Sequence, residues 1–83
     1  MKITVRYFAS IREAAGQSTE VLETGATTLS QLRDVLIARS DRAGEALARG
    51  RTVRMALNQV MSAESAALTE GCEVAFFPPV TGG

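Results

Sequence analysis

The sequence predicts a small α+β protein, in which one main helix packs against a mixed, mostly antiparallel sheet. Three observations support this fold class. Residues 2–8 alternate polar and apolar side chains, with the period of a half-buried strand. One long segment, residues 28–40, places its apolar residues on a single helical stripe. The chain has 83 residues, which is room for one domain.

The first part of the chain contains two predicted strands joined by a short helix. The apolar face of the first strand carries Ile3, Val5 and Tyr7. Residues 10–15 can form a helical turn, with Ser10 as its N-cap and Gly16 as its end. Residues 18–24 read as a second strand. Because the connection is short, we expect the two strands to be antiparallel neighbours.

The main helix is predicted to begin at Thr28. Thr28 and Gln31 have the spacing of a capping box, in which a threonine hydroxyl binds the first turn of the helix. The predicted apolar stripe consists of Leu29, Leu32, Val35 and Leu36. We expect this stripe to pack in the core. Residues 41–48 are predicted to hold a second, shorter helix.

The rest of the chain returns to alternating patterns that are typical of strands. Residues 53–57 alternate, Asn58-Gln59 resembles a tight turn, and Val60-Met61 begins a short return strand. The last strand is residues 73–77. The main helix can cover only one face of the sheet, which leaves large apolar side chains of the opposite parity on the other face: Phe8, Met61 and Phe77. An uncovered apolar surface of this kind indicates a partner.

Charge and hydropathy argue against nucleic acid and membranes as partners. Nine basic and nine acidic residues give a net charge of zero. The densest basic stretch, Arg49 to Arg54, has no interleaved aromatic residue, so a solvated face or a rim that meets an acidic partner is favoured. No segment has the length of a membrane span, and MKITVRYF alternates unlike a signal peptide. We therefore expect a cytoplasmic protein.

The sequence lacks the residue combinations that most catalytic and metal sites need. It contains no histidine, which excludes Ser–His and Cys–His pairs. Its one cysteine, Cys72, excludes an internal disulfide and a zinc cluster. We interpret Cys72 as a small turn residue, because no basic neighbour in the sequence would activate its thiol. Gly25 stands alone before the main helix, unlike a phosphate-binding loop. We expect no bound metal or cofactor.

The C-terminal segment combines an ending strand, a proline pair, a short spacer and a final Gly-Gly. Pro78-Pro79 fixes an extended direction, and Gly82-Gly83 is the thinnest backbone available. We expect residues 1–77 to form the domain and residues 78–83 to form a flexible tail. Such a tail can thread a narrow channel and present its carboxylate to a remote active site, although frayed termini are common.

On these features the chain resembles the small subunits of molybdopterin synthase, which are ubiquitin-like β-grasp sulfur carriers. The resemblance covers essentially the full length and is sharpest at EVAFFPPVTGG, residues 73–83. The segment FASIRE at residues 8–13, the helix from Thr28 and the turn at residues 56–59 fit the same pattern. The chain departs from that pattern at Cys72, where the family more often has a polar residue, and at Met61, where we expect leucine or valine.

The resemblance implies a function for the tail and no active site elsewhere in the chain. In that family, an E1-like adenylating enzyme uses ATP to join the C-terminal glycine to AMP, and sulfur from a sulfurtransferase replaces the adenylate. The resulting thiocarboxylate donates sulfur to cyclic pyranopterin monophosphate within the large synthase subunit, in a heterotetramer. Gly83 would then be the reacting residue, and Gly82 its sterically required neighbour. The residues implied in partner binding are Phe8, Met61, Phe77, Pro78, Pro79, Val80 and Thr81.

Other functions stay open at the level of the sequence. The sulfur carriers of thiazole synthesis in the thiamin pathway share the fold and the Gly-Gly, but they are usually shorter and lack a Phe-Phe-Pro-Pro run. A carrier for another sulfur pathway and a protein-conjugated modifier are further options. A different class is a β-grasp binding module, in which the sheet acts as an adaptor and the tail has no chemical role.

Overall fold

A five-stranded sheet and three helices make up residues 1–78, which are the residues that this computed structural model describes. In chain order the elements are β1 (Lys2–Tyr7), α1 (Ala9–Ala15), β2 (Thr19–Glu23), α2 (Leu29–Arg39), α3 (Asp41–Ala46), β3 (Arg54–Leu57), β4 (Val60–Met61) and β5 (Glu73–Phe77). Pro79, Val80, Thr81, Gly82 and Gly83 lie outside the described residues, so the expectations placed on them stay predictions.

The sheet has the strand order β2-β1-β5-β3-β4 and is mixed. β1 pairs antiparallel with β2 and parallel with β5, whereas β3 pairs antiparallel with both β4 and β5. This confirms the predicted mixed, mostly antiparallel sheet and the antiparallel pairing of the first two strands. The last strand therefore lies in the middle of the sheet, and the chain runs from there toward its C-terminus.

The core lies between the helices and one face of the sheet. The predicted inward residues of β1 and β5 are buried, together with three leucines of α2: Ile3, Val5, Tyr7, Val74, Phe76, Leu29, Leu32 and Leu36. Phe76 is completely inaccessible to solvent and stacks on Tyr7, with ring centroids 6.5 Å apart. It is also in register with Met55 of β3. The end of β5 is therefore held from both neighbouring strands and from the core.

One residue of the predicted helical stripe was assigned to the wrong side. Val35 is 39% exposed, and Arg33 lies on the buried face of α2 instead. At about 100° per residue, Leu29 and Leu36 fall within about 20° of each other, and Arg33 falls within about 60° of both. Val35 falls roughly 100° from Leu36 around the helix axis, which places it beyond the edge of the buried stripe.

Arg33 is a buried structural residue that the sequence pattern did not predict. Its Nε donates a hydrogen bond to the carbonyl of Leu47 at 2.7 Å, and its Nη2 donates to the carbonyls of Ala48 at 2.7 Å and Arg51 at 3.0 Å. Its Nη1 donates to Glu64 at 2.6 Å. The planar fork of a guanidinium suits such a set of fixed acceptors. Arg33 thereby holds the backbone of the segment that follows α3.

The start of α1 also differs from the prediction, because Phe8 and not Ser10 occupies the N-cap position. The Phe8 N–H donates to the carbonyl of Phe76 at 3.1 Å, which keeps Phe8 extended alongside β5. The Phe8 carbonyl already accepts from the N–H of Arg12, so the helix begins before Ser10. Gly16 ends α1 in the left-handed conformation, with φ of 79°, as predicted.

Two other local predictions are confirmed. The Thr28 hydroxyl accepts a hydrogen bond from the N–H of Gln31 at 3.2 Å, although the Gln31 side chain binds Thr27 and does not return to Thr28. Asn58 and Gln59 form the turn between β3 and β4 with positive φ at both positions, as a type I′ hairpin requires. Within residues 1–78, no helix combines the length and apolar character of a membrane span.

The packing of α3 against α2 yields a stability prediction at Gly44. A Cβ added at Gly44 would lie 2.5 Å from the backbone oxygen of Ile37, whereas a Cβ at Gly50 would meet no atom within 4 Å. Gly44→Ala should therefore lower the free energy of unfolding by about 1–3 kcal/mol, despite the better helix propensity of alanine. Gly50→Ala should change it by less than about 0.5 kcal/mol.

Urea denaturation followed by circular dichroism measures both values. A Gly44→Ala protein as stable as the wild type, or more stable, would show that the two helices do not approach as closely as described.

Candidate functional site

The sheet presents a second face, opposite to the core, that the helices do not cover. Its central row runs through cross-strand partners, from Arg6 to Ala75, then to Ala56 and Met61. Side chains at these positions share one face because the side chains of a strand alternate. With the aromatic residues beside this row, we define the open face as Arg6, Phe8, Ala56, Met61, Ala75 and Phe77.

Phe8 and Phe77 are in contact on the open face. Their ring centroids are 6.1 Å apart and their planes are nearly perpendicular, at 88°, which is the favourable edge-to-face arrangement. The guanidinium carbon of Arg6 lies 5.1 Å from the centroid of the Phe8 ring, a cation–π contact. Phe8 is 38% exposed, so the pair offers apolar area to solvent. Both aromatic residues were predicted on this face. Arg6 shares the parity of Phe8 in the sequence, but it was not among the predicted partner-binding residues.

Met61 occupies the far side of the open face. It is on the edge strand β4 and is 53% exposed. Between it and Phe77 lie Ala75 and Ala56, whose short side chains are buried by their neighbours. Because these two side chains are short, the face is lower in its middle than at its aromatic and methionine sides. This shape leaves room for side chains of another protein.

Phe77 connects the open face to the point at which the chain leaves the sheet. Phe76 is buried, Phe77 is half-buried on the open face, and Pro78 follows at once. The proline ring cannot donate to a strand ladder, which explains why β5 stops at Phe77. The C-terminal segment therefore starts from a position that is fixed by the core on one side and lies beside the aromatic pair on the other.

Reactive chemistry is not apparent among the side chains of residues 1–78. Cys72 lies in the turn before β5, as interpreted, and its N–H donates to the carbonyl of Thr69 at 3.0 Å. Its side chain is only 3% exposed and packs in the core, so a reagent cannot reach its thiol. Burial, and then the charge of Glu20, raise the pKa of Tyr7 to about 12, which keeps its hydroxyl protonated at neutral pH. Among the described residues, no three potential metal ligands lie together.

A mixed five-stranded sheet with its helices on one face, and a C-terminal segment that leaves the central strand, is the architecture of the ubiquitin-like β-grasp sulfur carriers. The comparison with protein families agrees, since residues 5–83 match the ThiS family. The chain belongs to that family.

Individual relatives give a finer comparison. The chain is 42% identical, over 81 residues, to the molybdopterin synthase sulfur carrier subunit of Escherichia coli K12, and the match covers 98% of this chain and 99% of that one. Among solved structures, SAMP1 from Haloferax volcanii has a TM-score of 0.77 at 27% identity, with both chains fully covered. A complex of subunits 1 and 2 of the molybdopterin-converting factor from Helicobacter pylori has a TM-score of 0.69 at 26% identity, again with full coverage of both chains.

Proposed function

We propose that this chain is the sulfur carrier subunit of a molybdopterin synthase. The observation that carries the proposal is the 42% identity to a protein of that name, across nearly the whole length of both chains. The match to the ThiS family spans residues 5–83 and so includes the C-terminal Gly-Gly. Gly83 is then the residue that carries sulfur, in the form of a C-terminal thiocarboxylate.

The chemistry of Gly83 requires an activating partner. A C-terminal carboxyl group has a pKa of about 3.5, so at neutral pH it is ionised and resists attack by nucleophiles. An E1-like adenylating enzyme forms a mixed anhydride between this carboxylate and AMP, and releases pyrophosphate from ATP. The terminal sulfur of a sulfurtransferase persulfide then attacks the carbonyl carbon, and AMP leaves. A thiol attacks the donor's sulfur in the resulting acyl disulfide, so that a disulfide forms and the thiocarboxylate is released. The thiocarboxylate sulfur then attacks a carbon of cyclic pyranopterin monophosphate and displaces an oxygen substituent. Hydrolysis of the resulting thioester leaves the sulfur on the pterin and restores the carboxylate of Gly83.

The fold supports this role by positioning the segment that reacts. β5 is the central strand, and the buried Phe76 side chain anchors its last residues to the core. The segment after Pro78 therefore starts from a fixed point. The reaction then takes place in the partner, into which the thin Gly82-Gly83 backbone extends. A cytoplasmic location, where ATP is available to the adenylating enzyme, is part of the proposal.

The open face is the proposed docking surface for the large synthase subunit. Phe8, Phe77 and Met61 expose apolar area on the side of the sheet that the helices leave uncovered. A structurally similar protein from Helicobacter pylori was solved as a complex of subunits 1 and 2, which supports a partner of this kind. A heterotetramer built on a central pair of large subunits is the assembly we propose.

A second function has one observation in its favour. The solved structures similar to this chain include a small archaeal modifier protein from Haloferax volcanii, at 25% identity and a TM-score of 0.81. A modifier would use the same adenylate but would transfer Gly83 to an amine of another protein. The match to the carrier subunits is closer in sequence, at 42% identity, and favours the sulfur carrier over the modifier and over a carrier for thiazole synthesis.

Gly82→Ala tests the role of the C-terminal segment. The added methyl group widens the backbone that must enter the partner, and small misplacements of reacting groups cost about 100-fold in rate. We expect a loss of that order in molybdopterin formation, assayed with the large subunit and the pterin precursor. The thermal unfolding midpoint should stay unchanged, because we expect residues 78–83 to lie outside the domain.

Gly50→Ala is the matched control, since it makes the same change at a surface position with free space around it. Full molybdopterin formation by Gly82→Ala would contradict the proposed entry of a thin segment into the partner.

Phe77→Ala tests the docking surface. Removal of an aromatic ring from the centre of an interface commonly raises the dissociation constant about tenfold or more. We expect that loss in affinity for the large subunit, measured by isothermal titration calorimetry. Val35→Ala is the control, because Val35 is 39% exposed but lies on α2, away from the open face. Equal affinities for the wild type and Phe77→Ala would move the interface elsewhere.

A further inference from the structure

A groove of about 550 Å³ lies beside the point at which the chain leaves the sheet. It is bounded by α1, by α3 and by the segment that precedes β3, and its lining includes Ser10, Ile11, Arg42, Glu45, Arg51 and Pro78. Pro78 thus belongs to the groove, whereas the preceding residue, Phe77, belongs to the open face. The two surfaces are continuous around the start of the C-terminal segment.

The arginines of the chain divide into two groups according to their ion pairs. Four of the eight pair with a carboxylate: Arg6 with Glu73, Arg33 with Glu64, Arg39 with Glu20 and Arg49 with Asp34. Within residues 1–78, the other four have no carboxylate at ion-pair distance: Arg12, Arg42, Arg51 and Arg54. The second group is the one available to a partner.

Three of these four arginines surround the start of the C-terminal segment. Arg42 and Arg51 line the groove together with Pro78, and Arg54 is the cross-strand partner of Phe77. Glu45 also lines the groove, so its charged lining is two positive groups and one negative group. The backbone of Arg51 is held in place, because its carbonyl accepts a hydrogen bond from the buried Arg33 at 3.0 Å.

We propose that the groove containing Arg42 and Arg51 is a second contact surface for the large synthase subunit, which meets it with acidic side chains. This inference rests on the proposed function. A partner that takes in the residues after Pro78 must cover both sides of that point, the open face and the groove. If the partner brought no opposite charges, the arginines of the groove would lose water without gaining an ion pair. That desolvation would weaken binding.

The charges of the groove should act mainly on the rate of association. Charges at the rim of an interface steer the encounter, and salt screens them. Each of Arg42→Gln and Arg51→Gln should therefore weaken binding about two- to fivefold at low ionic strength, chiefly through a slower association rate. Glu45→Gln should have the opposite sign and strengthen binding. All three effects should shrink in high salt.

The experiment is surface plasmon resonance of the full chain on the immobilised large subunit, at 50 mM and 500 mM salt as roughly low and high screening conditions. Lys2→Gln is the charge-matched control, because Lys2 begins β1 at the end of the sheet away from Phe76. Its binding should equal that of the wild type.

The outcomes separate this inference from the proposed function. If the wild type does not bind the large subunit, the proposed function fails. If the wild type binds and both arginine variants bind equally well at low salt, or lose the same affinity at both salt concentrations, an acidic contact at the groove is excluded. If the variants lose affinity only in a parallel run on the immobilised adenylating enzyme, the assignment to the large subunit is wrong.

Discussion

The burial of Phe76 in the central strand is the constraint on which the rest of the structure depends. Phe76 pairs in register with Tyr7 on one side and Met55 on the other, and it is completely inaccessible to solvent. Since β5 is flanked on both sides, its last residues cannot shift without breaking two ladders. The next residue, Phe77, then has to face the opposite side, where it meets Phe8. A core contact thereby decides where the C-terminal segment begins.

This arrangement separates stability from function. The described side chains build a core, an apolar open face and a cationic groove, and the proposed reaction uses only the C-terminal carboxyl group. More than one enzyme must recognise a carrier of this kind, and each enzyme must receive the C-terminal carboxyl group in its active site. Surfaces placed around the start of the reacting segment serve both needs, because each partner has to approach the same point.

Local sequence signals predicted much of the fold. Alternation identified β1 and β3, Thr28 identified the start of α2, and the Asn58-Gln59 turn was found as well. The errors have physical causes. The start of α1 depends on a hydrogen bond from Phe8 to β5, which is distant in sequence. Arg33 is buried because carbonyls from another segment meet its guanidinium, and residue type alone favours an exposed arginine.

In the candidate site, too, the features that depend on contacts between distant segments could not be predicted from the sequence. Parity within single strands was enough to place Phe8 and Phe77 on one face, and the Pro-Pro and Gly-Gly pattern directed attention to the C-terminal segment. The groove could not be predicted in this way, because α1, α3 and the segment before β3 come together only in the folded chain. The burial of Cys72 likewise depends on packing, since Leu68 and Val74 belong to the same core.

The intact mass of the chain, measured after incubation with the adenylating enzyme, ATP and a sulfur donor, tests the central claim most directly. The account predicts the mass change for replacement of one oxygen by sulfur, with fragmentation placing the sulfur on Gly83. It also predicts that the change persists after treatment with a thiol reductant. An unmodified chain, or a whole added sulfur atom that the reductant removes from Cys72, would contradict the account.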